Sequence, residues 1–264
     1  MDIKLELPSL LNEAATPIAK SVGNTLASTW DIVFGNLDLY AKKIQLRRSS
    51  DLEKFRESLE KKIQEVPIEN IAEPRLSILG PTMESSKYYY EESELRELFA
   101  NLLVSSIDST KAGIIHPSFP QIIQNLSSRD AIFLKDISEH SEIPYCSIRF
   151  QQRKNNKMTY FFNIFGKGIT LYRYLVPLHK QNDPFCDFNS TIDNLARLKL
   201  IEIDEGKAFA DLSFYLPMLD SPIYQKYLEE YSNNELILER EVTLVKGVIS
   251  VTDFGNKFIN CCVI

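Results

Sequence analysis

Between Ile68 and Phe119 the chain is punctuated so heavily that only short helices joined by tight breaks fit it. The stretch reads IENIAEPRLSILGPTMESSKYYYEESELRELFANLLVSSIDSTKAGIIHPSF. Pro74 and the Gly80-Pro81 pair are expected to break the chain, because proline disfavours helix in the residue before it. Pro81 is expected to open a short helix running through Tyr88. From Ser93 onward Leu95, Leu98, Phe99, Leu102 and Leu103 recur at helical spacing, giving a wide apolar stripe. His116-Pro117-Ser118-Phe119-Pro120 then stops that helix and leads into another around Ile122 and Ile123. Glu91, Glu92 and Glu94 fit residues that complement a helix dipole. Tyr88, Tyr89 and Tyr90 suit the rim of a core, and His116, set before a proline, is expected to fix a loop.

Upstream, Leu11, Ala15, Ile18, Val22, Leu26, Val33, Leu37 and Ile44 follow helical steps. Thr16 before Pro17 reads as an N-cap with proline at the first helical position. A second helix is expected from Asp51 to Glu65, with Leu52, Phe55, Leu59 and Ile63 inside. Its Lys54, Arg56, Lys61 and Lys62 alternate with Glu53, Glu57 and Glu60 as on a solvated helix face.

Beyond Leu126 the pattern mixes helix and strand. Ser127 or Ser128 caps a helix carrying Ala131, Phe133, Leu134 and Ile137. Tyr145 to Phe150 and Met158 to Phe165 read as strands flanking a basic loop, Arg153 to Lys157. Asn189-Ser190-Thr191 caps a helix with Ile192, Leu195 and Leu198 inside, followed by a strand from Leu200 to Ile203. A helix covers roughly Ile223 to Tyr231. Glu241 to Val245, a Lys246-Gly247 turn and Val248 to Val251 read as a hairpin, and a closing helix starts at Thr252. This order is similar to a winged helix with insertions, although such modules usually carry glycine where this chain has Lys199. The expected fold is therefore mostly α with a smaller α+β part: a helical region over 1–126 and a winged-helix-like region over 127–264.

Composition excludes more than it assigns. At 264 residues, with 44% hydrophobic and 25% charged residues, the chain can bury a substantial core. A net charge of −6 argues against a general nucleic-acid coat. Cys146, Cys186, Cys261 and Cys262 form no disulfide framework, so a reducing, cytoplasmic setting is expected. No stretch has the length of a membrane-spanning helix. His116, His140 and His179 fall in no metal-ligand pattern. Neither a nucleophile elbow nor a phosphate-cradling glycine loop is present. No catalytic, cofactor-binding or metal-binding residue is expected.

The central stretch resembles the Abi-alpha (abortive infection alpha) family, a bacterial family of unknown function. The carrying residues are Pro67 to Asn70, Glu73-Pro74, Gly80-Pro81, Glu94 to Glu97 with Phe99 to Leu103, Asp108, His116 to Phe119 and Leu126-Ser127. The resemblance implies a bacterial or phage-related protein tied by the family's name to phage defence, and it carries over no catalytic residue. The expected function is a non-enzymatic defence role through contacts with a host or phage protein, or with a second copy of the chain. Two alternatives stand beside it. A winged-helix regulator would meet nucleic acid through Arg153, Lys154, Lys157, Thr191, Asn194 and Arg197. A membrane-perturbing effector would act through the amphipathic segment 14–37, where Trp30, Val33 and Phe34 would meet lipid or a partner helix; a membrane partner is the least expected.

Overall fold

The computed structural model describes Leu5 and residues 16–35, 42–152, 168–177, 188–232 and 240–264. It is mostly helical, with one small antiparallel sheet. Two compact units form, Met1–Ser138 with Asp253–Ile264, and Glu139–Thr252.

The first unit is helical. Helix α1 (Pro17–Phe34) starts as its sequence requires, with Pro17 in the first turn and the Ala19 N–H donating to Thr16 Oγ1 at 3.2 Å. Its inner face is Ala19, Val22, Leu26, Trp30 and Phe34, so the buried stripe lies one step round from Ile18 and Val33, and Ile18 stays exposed. Helix α2 (Lys42–Gln64) begins well before Asp51, because no glycine or proline interrupts the run upstream of it. Asp51 is therefore interior to the helix, where it pairs with Lys54 at 2.9 Å. Leu52, Phe55, Leu59 and Ile63 are buried as expected, and the Trp30 ring lies 4.5 Å from Phe34 and 5.6 Å from Phe55.

The punctuated stretch wraps this core. A 3₁₀ turn (Ile68–Asn70) leads into Ile71, which bridges Asp108; the Ala72 N–H donates to the Ile107 carbonyl and the Ser109 N–H to that of Asn70, both at 2.8 Å. Helix α3 (Leu76–Ser86) departs from the expectation, since Pro81 lies inside it instead of opening it. Proline's fixed φ is helical, and the N–H it lacks removes a single bond. Buried Ile78, Leu79 and Met83 hold the helix in place, and the hydroxyls of Thr82 and Ser85 donate to the Ile78 and Pro81 carbonyls at 2.6 Å. Helix α4 (Ser93–Ile107) buries the whole predicted stripe. Helices α5 (Phe119–Gln124) and α6 (Ser128–Ile137) follow. Ser127 is the cap of α6, in a reciprocal box with Asp130. The chain ends in this unit as α9 (Asp253–Phe258), which runs into a π turn (Ile259–Val263) packed on α4.

The second unit is a four-stranded antiparallel sheet of order β2-β1-β4-β3, formed by β1 (Glu142–Gln152), β2 (Ile169–Leu175), β3 (Ile201–Asp204) and β4 (Arg240–Val251). Helix α7 (Asn189–Arg197), a 3₁₀ helix (Leu212–Met218) and α8 (Pro222–Ser232) complete it. The expected hairpin at Lys246-Gly247 is absent, for β4 runs straight through those residues. Gly247 pairs with Tyr145, and a Cβ there would fall 2.4 Å from the tyrosine ring. The glycine makes room for an aromatic ring; it does not turn the chain. The strand expected over Met158–Phe165 lies outside the described residues.

Strand alternation gives the sheet two unlike faces. Cys146, Ile148 and Leu175 form one core with Tyr215 and Met218 of the 3₁₀ helix. On the other face Ile143, Tyr145, Ser147 and Arg149 follow one another along β1, beside Ile201 and Ile203 of β3 and Ile249, Gly247, Val245 and Thr243 of β4. Helix α7 packs against β2 and β3; Tyr174 stacks edge-on to Tyr145 at 5.6 Å and donates its hydroxyl to Asp193 of α7 at 3.2 Å.

Candidate functional site

The residues proposed to read nucleic acid do not converge. Thr191 is 2% exposed and belongs to the core side of α7. Arg197 donates to Asn194 Oδ1 at 2.7 and 3.2 Å, and Asp193 holds Arg173 at 3.0 Å. The outward face of α7 is thus charge-compensated along its length. Arg153, Lys154 and Lys157 lie outside the described residues. Of the lipid-facing candidates, Trp30 and Phe34 are buried in the first unit and Val33 is half-buried. No described helix is long and apolar enough to cross a membrane.

In the first unit, a groove of about 370 Å³ is lined by Lys62, Glu94, Glu97, Asn101, Lys135 and Asp136. Two of its charges pair with each other: Lys62 meets Glu97 at 3.2 Å, and Ser58 donates to the same carboxylate at 2.9 Å. Hydrogen bonding from its own backbone N–H, helped by Ser93, holds the Glu94 carboxyl below its ordinary value. A general acid requires the opposite shift. Next to the groove, Asn101, Ser105 and Lys111 donate to the carbonyls of Cys262, Cys261 and Asn260 at 2.9, 2.8 and 2.7 Å, satisfying the end of the terminal helix. His116 has the loop-fixing role expected of it, with Nδ1 2.6 Å from Ser118 Oγ and its ring edge-on to Phe254.

Burial pushes the Cys146 thiol up to about 12 and that of Cys261 to about 11, and it raises Cys262 as well. Such thiols are poor nucleophiles at neutral pH. Among the described residues no three His, Cys, Asp or Glu side chains gather as a metal site.

Two features of the second unit are absent from the sequence reading. The first is polar. On the sheet face shared with α7, the Tyr145 hydroxyl, Ser147 Oγ, Thr243 Oγ1 and Arg149 Nε are buried without a hydrogen-bond partner. Each such atom costs about 1–3 kcal/mol when left unsatisfied. Arg149 uses another nitrogen, Nη2, to reach Glu205 Oε2 at 2.7 Å. Burial, reinforced by the negative charge of Glu205, pushes the Tyr145 hydroxyl well above its ordinary value and keeps it a neutral donor. Alternation along β1 could place Tyr145, Ser147 and Arg149 together, but Thr243 joins them only through a register with a strand about ninety residues away.

The second feature is apolar. The 3₁₀ helix anchors Tyr215 and Met218 in the core and leaves Leu212, Phe214 and Leu216 exposed at 53, 51 and 56%, with Leu219 at 43% just beyond it. Asp211 and Asp220, next to them in the chain, are exposed as well. A 3₁₀ helix brings every third residue onto one face; Leu212 heads the row of Tyr215 and Met218 yet is exposed, while Phe214 and Leu216 lie on the other two rows.

No curated protein and no solved structure matches the chain. A family model described as abortive infection alpha, however, matches residues 47–262, taking in α3, α4, the sheet and nearly all of the terminal helix. The chain belongs to the abortive infection alpha family.

Proposed function

We propose that this protein is a non-enzymatic component of phage defence that works by contact with another protein. Family membership supports a role of the abortive-infection type. The observation that carries the contact reading is the apolar surface of Leu212, Phe214, Leu216 and Leu219, because grouped exposed apolar side chains rimmed by polar ones are characteristic of interaction surfaces. From Glu202 to Glu230 there are seven acidic residues and two lysines, a local charge of −5. The partner is therefore a host or phage protein presenting apolar side chains bordered by lysine or arginine. A second copy of this surface would meet its own negative charge.

The regulator and membrane readings rank lower. Arg197 and Arg173 are engaged within the unit, so neither is free to neutralise phosphate, and Trp30 and Phe34 would have to leave the core to meet lipid. The winged-helix-like description of the second unit rests on α7 and β3 with the exit between them at Lys199, whose φ of 59° is the conformation glycine favours.

The test is a phage challenge of a sensitive host expressing the intact chain or its Leu212→Asp/Leu216→Asp variant. Plaque numbers should fall with the intact chain and recover with the variant. Unchanged plaque numbers across a broad phage panel would remove the defence role. Full protection by a well-expressed variant would remove the contact surface.

A further inference from the structure

We infer that the polar end of the sheet face beneath α7 is a binding site for a small oxyanion, a phosphoryl or carboxylate group, held by Arg149, Ser147, Thr243 and Tyr145. The face changes character along its length. Ile143, Ile201, Ile203 and Ile249 make one end apolar. At the other end, Arg149 sits directly opposite Thr243, with Ser147 two residues away on the same face. Side chains directly opposite across an antiparallel pair are roughly 5 Å apart, and residues two apart along a strand roughly 7 Å. Three unpartnered donors thus project from one short stretch of a single sheet face.

The donor set selects the ligand chemistry. Arg149 Nε can only donate, and each of the three hydroxyls can donate as well, so the complementary group is rich in acceptors. Such a set is ill-suited to a metal ion, since guanidinium does not ligate. Among the described residues none hydrogen-bonds Ser147 Oγ as a base would, which leaves the hydroxyl a binding group and not a nucleophile. Glu205 is the competitor: its carboxylate takes Arg149 Nη2 at 2.7 Å while Nε stays unpaired, and its side chain is 54% exposed. An arriving oxyanion takes Nε together with the Ser147 and Thr243 hydroxyls and displaces this exposed carboxylate into water. Of the other charges nearby, Asp204 is paired with Lys207 at 3.7 Å. Tyr145, its ring lying over Gly247, supplies a neutral hydroxyl at the inner edge. This site is independent of the apolar surface proposed for protein contact.

The test follows thermal unfolding of the full chain in inorganic phosphate and, separately, in acetate, at constant ionic strength set with chloride. A ligand that binds only the folded state raises the midpoint with concentration. At least one of the two anions should do so; phosphate alone indicates a phosphoryl ligand and acetate alone a carboxylate. Ser147→Ala and Thr243→Val, which delete hydroxyls at nearly constant volume, should each weaken the apparent affinity about tenfold while raising the midpoint without anion. Glu205→Gln should strengthen the affinity by a similar factor. No response to either anion, or a response equal in all three variants and the parent, overturns the proposal, the latter marking an adventitious ion only.

Discussion

The two units treat their polar side chains in opposite ways. In the first, Asn101, Ser105 and Lys111 close on the last carbonyls of the chain, and Arg75 donates to the carbonyls of Ala112 and Ile115. Among its described residues Arg56 meets both Glu53 and Glu60, and Arg96, whose Nε is buried without a hydrogen bond, donates through Nη1 to the Tyr90 carbonyl. In the second unit, Tyr145, Ser147 and Thr243 carry a single polar side-chain group each, and that group is unpaired. Exposed apolar side chains differ in the same direction: in the second unit four of the described ones fall within the short stretch from Leu212 to Leu219. Saturated polar groups fix one structure, whereas unsatisfied ones and clustered exposed apolar ones hold binding capacity in reserve. On the proposed reading the first unit is the scaffold and the second is the surface that meets a partner.

The largest effect should come from opening the scaffold's core. Trp30 is fully buried between Phe34 and Phe55 and is the chain's single tryptophan, so its fluorescence reports the first unit. Trp30→Ala removes the probe, so urea unfolding would be followed by circular dichroism. We expect a loss of about 3–5 kcal/mol; a midpoint close to the parent's would show that the aromatic cluster does not hold the unit together. The corresponding point in the second unit is Gly247. In Gly247→Ala the new methyl must displace the Tyr145 ring, at a cost of about 1–3 kcal/mol. Equal stability of parent and variant would mean that the ring moves freely, and with it one edge of the proposed oxyanion site.

How far the sequence could be read also divides between the units. Local chemistry was legible: the Thr16 cap before Pro17, the Ser127 cap of α6, and the stripe from Leu95 to Leu103 all depend on neighbours within a few residues. The Pro81 helix misled, because the tertiary packing of Ile78, Leu79 and Met83 outweighs the missing hydrogen bond. Gly247 misled for a related reason. A glycine that clears space for a distant ring looks the same, in sequence, as one that turns a hairpin. The row from Tyr145 to Thr243 was illegible because it depends on long-range register, and so did the packing of the last helix on α4.

Lys199 lies between these cases. Its place was recognised as a glycine position, and its φ of 59° agrees. A lysine in that left-handed conformation costs roughly 1–2 kcal/mol, so Lys199→Gly should stabilise the protein by about 1 kcal/mol, less than the full strain because glycine also gains freedom in the unfolded chain. A loss of stability in chemical denaturation would instead assign the lysine side chain a packing role.

The smallest expected effect on stability bears most directly on the contrast between the units. Leu216 is more than half exposed, and a surface substitution of this kind usually stays within about 0.5 kcal/mol of the parent. Leu216→Asp should therefore unfold with the parent's midpoint and the parent's dependence on denaturant. If it does, the side chain has no work inside the fold, and a loss of protection in the phage challenge must arise from a missing contact. If the midpoint falls by several times that amount, Leu216 packs within its own unit, and the apolar surface would no longer distinguish the second unit from the first. Pairing the two measurements on one variant separates a surface kept for a partner from one the fold itself consumes.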